Sequence, residues 1–330
     1  MKKLFALLMT LCLCLGMMAF PALAEQEEKP LSVAVVLAGT QGDRSFYDSS
    51  VEGLNRLVAD FGVTPKIFEC KEDASLYENS LYDAADTCDV VIAVGWQFWD
   101  YLSKAAPEYP DVKFIFVDNG LDGVGDNLMS IVYAQNQGSF LVGYIAAKLT
   151  ATGKIGVVGG EDGATINDFI VGYEAGAKYA NPDVVVERQY TDTYEDPAKG
   201  KEAATTLYDG GCDIVFAVAG KTGEGVFEAA AESGNYAIGV DSDQKYINPD
   251  VIICSMIKRV GQSIYDTVSD MENSYQPGAI WMAGMDTGFI DVAYGADDMP
   301  QQVSDELKTE VEEIKAKIIS GEIEVPTALN

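Results

Sequence analysis

An α/β protein of two doubly wound parallel-sheet lobes is the fold the sequence predicts, on three observations. Apolar strand-length runs alternate with amphipathic helix-length segments through two successive series. Apolar residues make up 48% of the chain, with 32 glycines, as suits a globular α/β composition. The length left after an N-terminal export signal, about 300 residues, is enough for two domains of ordinary size.

The first series reads strand 31–37, helix 46–61, strand 65–69, helix 76–85, strand 90–94, helix 98–106 and strand 113–117, ending at Asp118. Helix-linked neighbours of this kind imply right-handed βαβ crossovers and a parallel sheet. The second series starts with helix 139–149 and continues through strand 154–158, helix 166–179, strand 184–189, helix 197–209, strand 214–218, helix 224–233 and strand 236–240, with Asp241 at its tip. A further strand leads to Lys258. Between the series, residues 133–138 lack the Pro/Gly/Ser richness of a passive tether, which predicts a structured hinge with ligand held between the lobes. The remainder, 260–330, holds another helix, a short apolar stretch at 279–282 and a charged helix at 301–320, too little for a third domain.

The N-terminus carries an export signal. Lys2 and Lys3 precede an apolar run from Leu4 to Phe20, and Ala22-Leu23-Ala24 places small residues where a signal peptidase reads them, so cleavage after Ala24 is expected. The run is short for a membrane span and is followed at once by Glu25-Gln26-Glu27-Glu28. Neither Cys12 nor Cys14 sits in a lipid-accepting context, because Leu11 and Leu13 precede them. The mature chain is expected to be exported, periplasmic or associated with the cell envelope, with no membrane span of its own.

Twenty-two basic residues against 52 acidic ones leave a net charge of −30, which repels nucleic acid and anionic lipid alike. The chain has no histidine, so it lacks the commonest general base, the commonest metal ligand and the usual partner of a serine or cysteine nucleophile. A metal-dependent hydrolase would need clustered carboxylates near the N-terminus, and Asp43 with Asp48 is too thin a constellation. Cys70, Cys88, Cys212 and Cys254 form no C-x-x-C pair. Export permits a Cys70–Cys88 disulfide, and two buried apolar thiols fit equally. No enzyme, metal or cofactor is expected.

The segment from Phe216 to Lys258 is the site-bearing one: a buried strand, a glycine turn with Thr222, an alanine-rich helix, and a strand tipped by Asp241. Ligands of open α/β sheets sit at the carboxyl ends of strands. AGKT at 219–222 has the tail of a phosphate-binding loop, but Val215 stands where that motif needs its first glycine.

Taken together, GDRSF at 42–46, VIAVGWQFWDYLSKAAPEYPDVKFIFVD at 91–118, GSFLVGYIAAKLTATGKIGVVGG at 138–160, VGYEAGAKYANPDV at 171–184, DPAKGKEAATTLYDGGCDIVF at 196–216, then AGKTGEGVFEAA, AIGVDSDQ, SMIKR and the closing SGEIEVP resemble the basic membrane protein family of substrate-binding proteins. Its best-understood members are purine-nucleoside receptors of ABC importers. The resemblance implies a type I periplasmic-binding fold with three interlobe crossings, an N-terminal lobe of 25–137 plus about 257–284, and a C-terminal lobe of 138–256 plus about 285–330. It implies an ABC permease and its ATPase as partners.

The resemblance also implies a set of binding residues. Phe46 and Tyr194 match the two rings that hold the purine, a use that suits flat aromatic side chains. Asp118 matches an acid that accepts from base N–H groups or sugar hydroxyls, and Asp241 with Lys258 matches the pair that grips the ribose. Read without the family, Phe46 is the first apolar residue of its helix, Asp241 a helix cap and Lys258 a solvated charge. Gly220 lets backbone approach the ligand. Asp43, Ser45, Trp96 and Gln135 complete the candidate set, Trp96 serving equally well as lobe packing. Relatives commonly place Asp or Asn shortly after the first strand and Asn directly after the stacking Phe, where this chain has Leu37-Ala38-Gly39 and Tyr47. The base-edge contacts are therefore missing or supplied differently, which leaves a pentose, a signalling sugar derivative or a flavin as other cargoes, and a ligand sensor docking on a receptor as another role.

Overall fold

A computed structural model describes residues 29–329; the export signal read at 1–24 lies outside the described residues. Twelve strands among these residues form two six-stranded sheets of the same design. The first sheet contains β1 (Ser32–Leu37), β2 (Thr64–Glu69), β3 (Val90–Val94), β4 (Lys113–Val117), β5 (Leu128–Tyr133) and β11 (Ile280–Ala283), in the order β11-β5-β4-β3-β1-β2. The second contains β6 (Lys154–Gly159), β7 (Val185–Tyr190), β8 (Ile214–Val218), β9 (Tyr236–Asp241), β10 (Ile252–Lys258) and β12 (Ile290–Ala293), in the order β12-β10-β9-β8-β6-β7. Every pairing is parallel except β10 with β12. This is the type I periplasmic-binding fold.

Central strands β1, β3, β5, β8 and β10 are buried along their whole length, as parallel strands covered on both faces must be. The covering helices are α1 (Phe46–Phe61), α2 (Ala74–Ala85), α3 (Trp99–Glu108), α4 (Gln135–Leu149), α5 (Ala164–Ala180), α6 (Pro197–Asp209), α7 (Glu224–Ser233), α8 (Val260–Ser269), α9 (Met271–Ser274) and α10 (Asp305–Ile319). Local chemistry sets their ends. Asp196 caps α6, accepting from Ala198 and Lys199 N–H with Pro197 in the first turn, and the Ser304 hydroxyl caps α10, so that helix starts later than residue 301.

The chain crosses between the sheets three times: at Ala134 between β5 and α4, at Arg259 between β10 and α8, and over 284–289 between β11 and β12. Helix α8 leaves the second sheet and packs on α1 beside the first, with Gly261 N–H donating to Ser49 Oγ (3.1 Å) and Arg56 to Gln262 (2.8 Å). Helices α4 and α5 lie against each other so closely that a Cβ on Gly176 would sit 1.9 Å from Phe140 O, and one on Gly143 2.1 Å from Tyr173 O. Only glycine permits that approach.

Several elements differ from the sequence reading. Strands β5 and β12 were not expected, and α4 begins at Gln135 rather than 139, which makes the predicted hinge at 133–138 mostly the first turn of a helix. Cys70 is a buried free thiol, so no disulfide joins it to Cys88, which is also buried.

Candidate functional site

The strand tips of the two sheets meet around a cavity of about 60 Å³. Its wall from the first lobe is Asp43, Phe46 and Tyr47 at the start of α1, Gly95 to Gln97 after β3, and Asp118 after β4. The second lobe supplies Thr165, Ile166 and Phe169 from α5, Tyr194, Val218 to Gly220 after β8, Val240 and Asp241 at the end of β9, and Lys258 at the end of β10.

The two lobes present matching acids. Asp118 and Asp241 each terminate a strand in the left-handed region, with φ of 79° and 64°. A non-glycine residue held there stores strain on the order of 1–3 kcal/mol, which the surrounding contacts must offset. Lys258 supplies one such contact. Its ammonium donates to Asp118 Oδ1 at 2.8 Å, lies 3.7 Å from Asp241 Oδ1, and stands over the rings of Phe46 (4.7 Å), Phe169 (5.0 Å) and Tyr133 (5.3 Å). Its side chain is 3% exposed, so this is a buried, aromatic-caged cation and not a solvated charge. Gln244 braces the turn after β9, its Oε1 accepting Val240 N–H (2.8 Å) and its amide donating to Arg44 O (3.2 Å) on the other lobe.

Asp241 also reaches across the cleft. The Ser45 hydroxyl donates to its Oδ2 at 2.5 Å, whereas Oδ1 is buried without a hydrogen-bond partner. Two further carboxylates tie the lobes together. Glu195 accepts Thr40 N–H and the Thr40 hydroxyl, both at 2.7 Å, and Glu72 accepts Tyr194 N–H and the Thr193 hydroxyl, both at 2.7 Å. Room for the rings comes from paired glycines at equivalent strand tips. A Cβ on Gly39 after β1 would lie 2.4 Å from the Tyr47 ring, and one on Gly160 after β6 would lie 2.1 Å from the Tyr194 ring.

Residues 31–328 match the model of the family described as ABC transporter substrate-binding protein PnrA-like. The chain belongs to this family. It is 36% identical over 302 residues to basic membrane protein A of Borreliella burgdorferi, covering 89% of this chain and 87% of that protein. It is 33% identical over 327 residues to basic membrane protein A1 of Borrelia garinii subsp. bavariensis, covering 97% and 95%. Among solved structures, an ABC transporter solute-binding protein from Aeropyrum pernix K1 superposes with a TM-score of 0.81 at 29% identity, covering 90% of this chain and 94% of that one.

As a member of this family the chain is a substrate-binding protein of an ABC transporter, which takes a small molecule as ligand and an ABC permease as partner. Among the described residues no helix is long and apolar enough to cross a membrane, and no cluster of three His, Cys, Asp or Glu side chains is placed to hold a metal ion. Burial raises Asp118 above the usual carboxylate range, against the pull of Lys258. Two acids flank one lysine here, and their carboxyl oxygens face the cavity as acceptors.

Eight of the ten sequence-derived candidates, Asp43, Phe46, Trp96, Asp118, Tyr194, Gly220, Asp241 and Lys258, line this cavity. Asp43 does so with both oxygens engaged, accepting N–H from Ser45 and Asp48 on one and from Tyr47 on the other, so it caps α1. Asp48 is spent likewise on Gly42 and Arg44 N–H. Ser45 is fully buried behind the wall and acts through Asp241. Gln135 is away from the wall, buried at the first crossing beside Asp168, which also accepts from Asn136 N–H and from Thr327 and Ala328 of the C-terminal tail. Gln97, Thr165 and Phe169 were not singled out from the sequence. Phe169 belongs to the apolar face of α5 and carries no signal of its own, but Gln97 is a lone amide three residues past a strand tip.

Proposed function

We propose that this substrate-binding protein captures a nucleoside, with its sugar hydroxyls on Asp241, Lys258 and Asp118 and its base between Phe46 and Tyr194. The observation that carries the reading is the Asp118–Lys258–Asp241 cluster at the end of an aromatic-walled cavity, with Asp241 Oδ1 buried and lacking a hydrogen-bond partner. A carboxylate with a free oxygen accepts from two vicinal hydroxyls while an ammonium beside it donates, the complement of a ribose edge. An unsatisfied buried acceptor costs roughly 1–3 kcal/mol, which a ligand hydroxyl recovers. The rings offer stacking that is indifferent to base identity.

Capture closes the lobes about the three crossings, and the closed surface is what the permease reads. Residues 1–24 direct export and are removed, leaving a receptor outside the cytoplasm. The test is a thermal-shift and calorimetric screen of the refolded, ligand-stripped chain from Glu25 against purine and pyrimidine nucleosides, free bases, pentoses and riboflavin. Binding confined to nucleosides is expected. A response to a pentose or riboflavin with none to nucleosides overturns the base assignment and leaves the receptor.

A further inference from the structure

We propose that Gln97 reads the edge of the base, taking a purine that presents a donor beside an acceptor; this rests on the nucleoside reading above. Sheet order locates it. The sugar-gripping groups stand at the tips of β4, β9 and β10, and β3, which leads into Gln97, lies between β4 and β1, one strand further from the crossings than Asp118. A nucleoside with its ribose on Asp118, Lys258 and Asp241 therefore extends its base toward the β3 and β1 tips.

What waits there is almost entirely apolar or already engaged. The β1 tip is Leu37-Ala38-Gly39. Both oxygens of Asp43 are occupied by N–H groups of α1. Gln97 is the only carboxamide among the lining residues described, and its Oε1 is closed off from solvent with no hydrogen-bond partner. The amide folds back over Gly95, whose φ is 117°; a Cβ at that glycine would lie 2.6 Å from Oε1. Glycine at 95 is thus what lets the amide lie along the wall.

A carboxamide carries one acceptor and one donor side by side and pairs bidentately with an edge of the opposite pattern. Adenine offers an exocyclic N–H next to a ring nitrogen; hypoxanthine offers a ring N–H next to a carbonyl. Turning the amide by half a rotation exchanges the two, so one glutamine serves both.

The experiment measures affinities of the refolded wild type, Gln97→Leu and Gln97→Glu for adenosine, inosine, guanosine and the purine riboside lacking a 6-substituent, with unliganded melting temperatures as folding controls. In the wild type, adenosine and inosine bind more tightly than the unsubstituted riboside. Gln97→Leu weakens both by about 10- to 100-fold and erases that difference. Gln97→Glu, which only accepts, shifts preference to guanosine, whose edge offers two adjacent N–H donors. If Gln97→Leu keeps wild-type affinity and ranking, Gln97 is only wall and the proposal is overturned. If the wild type binds none of the four, the nucleoside reading fails and takes this proposal with it.

Discussion

Glu72 holds Tyr194 from the opposite lobe: its Oε1 accepts the Tyr194 main-chain N–H at 2.7 Å while its other oxygen accepts the Thr193 hydroxyl, and two residues on, Glu195 returns the same pair of bonds to Thr40. The two carboxylates form a reciprocal clasp between the lobes. Opening the lobes breaks four short bonds, and closing them fixes the backbone that carries an aromatic wall.

The clasp should therefore slow release more than capture. Glu72→Gln and Glu195→Gln each replace a charged two-point acceptor by an amide with one acceptor, and bonds to a charged group contribute about 1.5–3 kcal/mol net of competition with water. Stopped-flow release of a bound nucleoside is expected to accelerate by roughly 5- to 50-fold, with association within about threefold of wild type. Unchanged release would show that the bonds form without contributing to closure.

Asp241 separates binding from folding. Asparagine tolerates the left-handed backbone at this position and can still accept from Ser45, so Asp241→Asn removes charge without adding strain. Nucleoside affinity should fall by about 10- to 100-fold, and the unliganded melting temperature should stay within a few degrees. A large loss of unliganded stability with binding intact would make Asp241 a structural brace and nothing more.

The fold was legible because the sequence repeats one pattern twice, and strands buried on both faces write themselves as unbroken apolar runs, as in Val90–Val94 and Ile214–Val218. Strand β5 was harder to see: Ser130 interrupts its run, and the structure uses that hydroxyl to accept Leu121 N–H. Strand β12 is four residues long, only one of them fully buried, and depends on its pairing with β10. In the site, strand tips pointed to Asp118 and Asp241, because an acid after an apolar run has few other uses. Spacing along the chain could not foretell that Asp43 spends its oxygens on three N–H groups, that Gln135 faces Asp168, or that Glu72 and Glu195 exchange bonds across the cleft. Those depend on how two lobes meet.

Burial pushes Asp43 from 3.8 up to about 7, against the N–H groups of Tyr47, Asp48 and Ser45. Between those two values the folded protein holds a proton that the unfolded chain has lost, so stability falls as pH rises through the window from about 4 to 7. Asp118, Asp168 and Glu161 are raised in the same direction by the same cause. Denaturant midpoints should be higher near pH 5 than near pH 7.5, and Asp43→Asn should flatten that slope. An unaltered slope in the variant would assign the effect to the other three acids.

Gly160 tests whether Tyr194 is a wall of the ligand site. A methyl at this position would lie 2.1 Å from Cε1, 2.5 Å from Cδ1 and 2.7 Å from Cζ of the tyrosine, so Gly160→Ala must displace the ring. The backbone cannot follow, because Glu72 holds the Tyr194 N–H and Thr222 N–H donates to its carbonyl at 3.0 Å. The ring must instead rotate within the cleft, at a cost of about 1–3 kcal/mol for overpacking. Calorimetry should find nucleoside affinity at least tenfold weaker, with a modest drop in melting temperature. Because the substitution adds one methyl and removes no polar group, loss of affinity would implicate the position of the ring alone; wild-type affinity in a folded Gly160→Ala protein would exclude Tyr194 from the base.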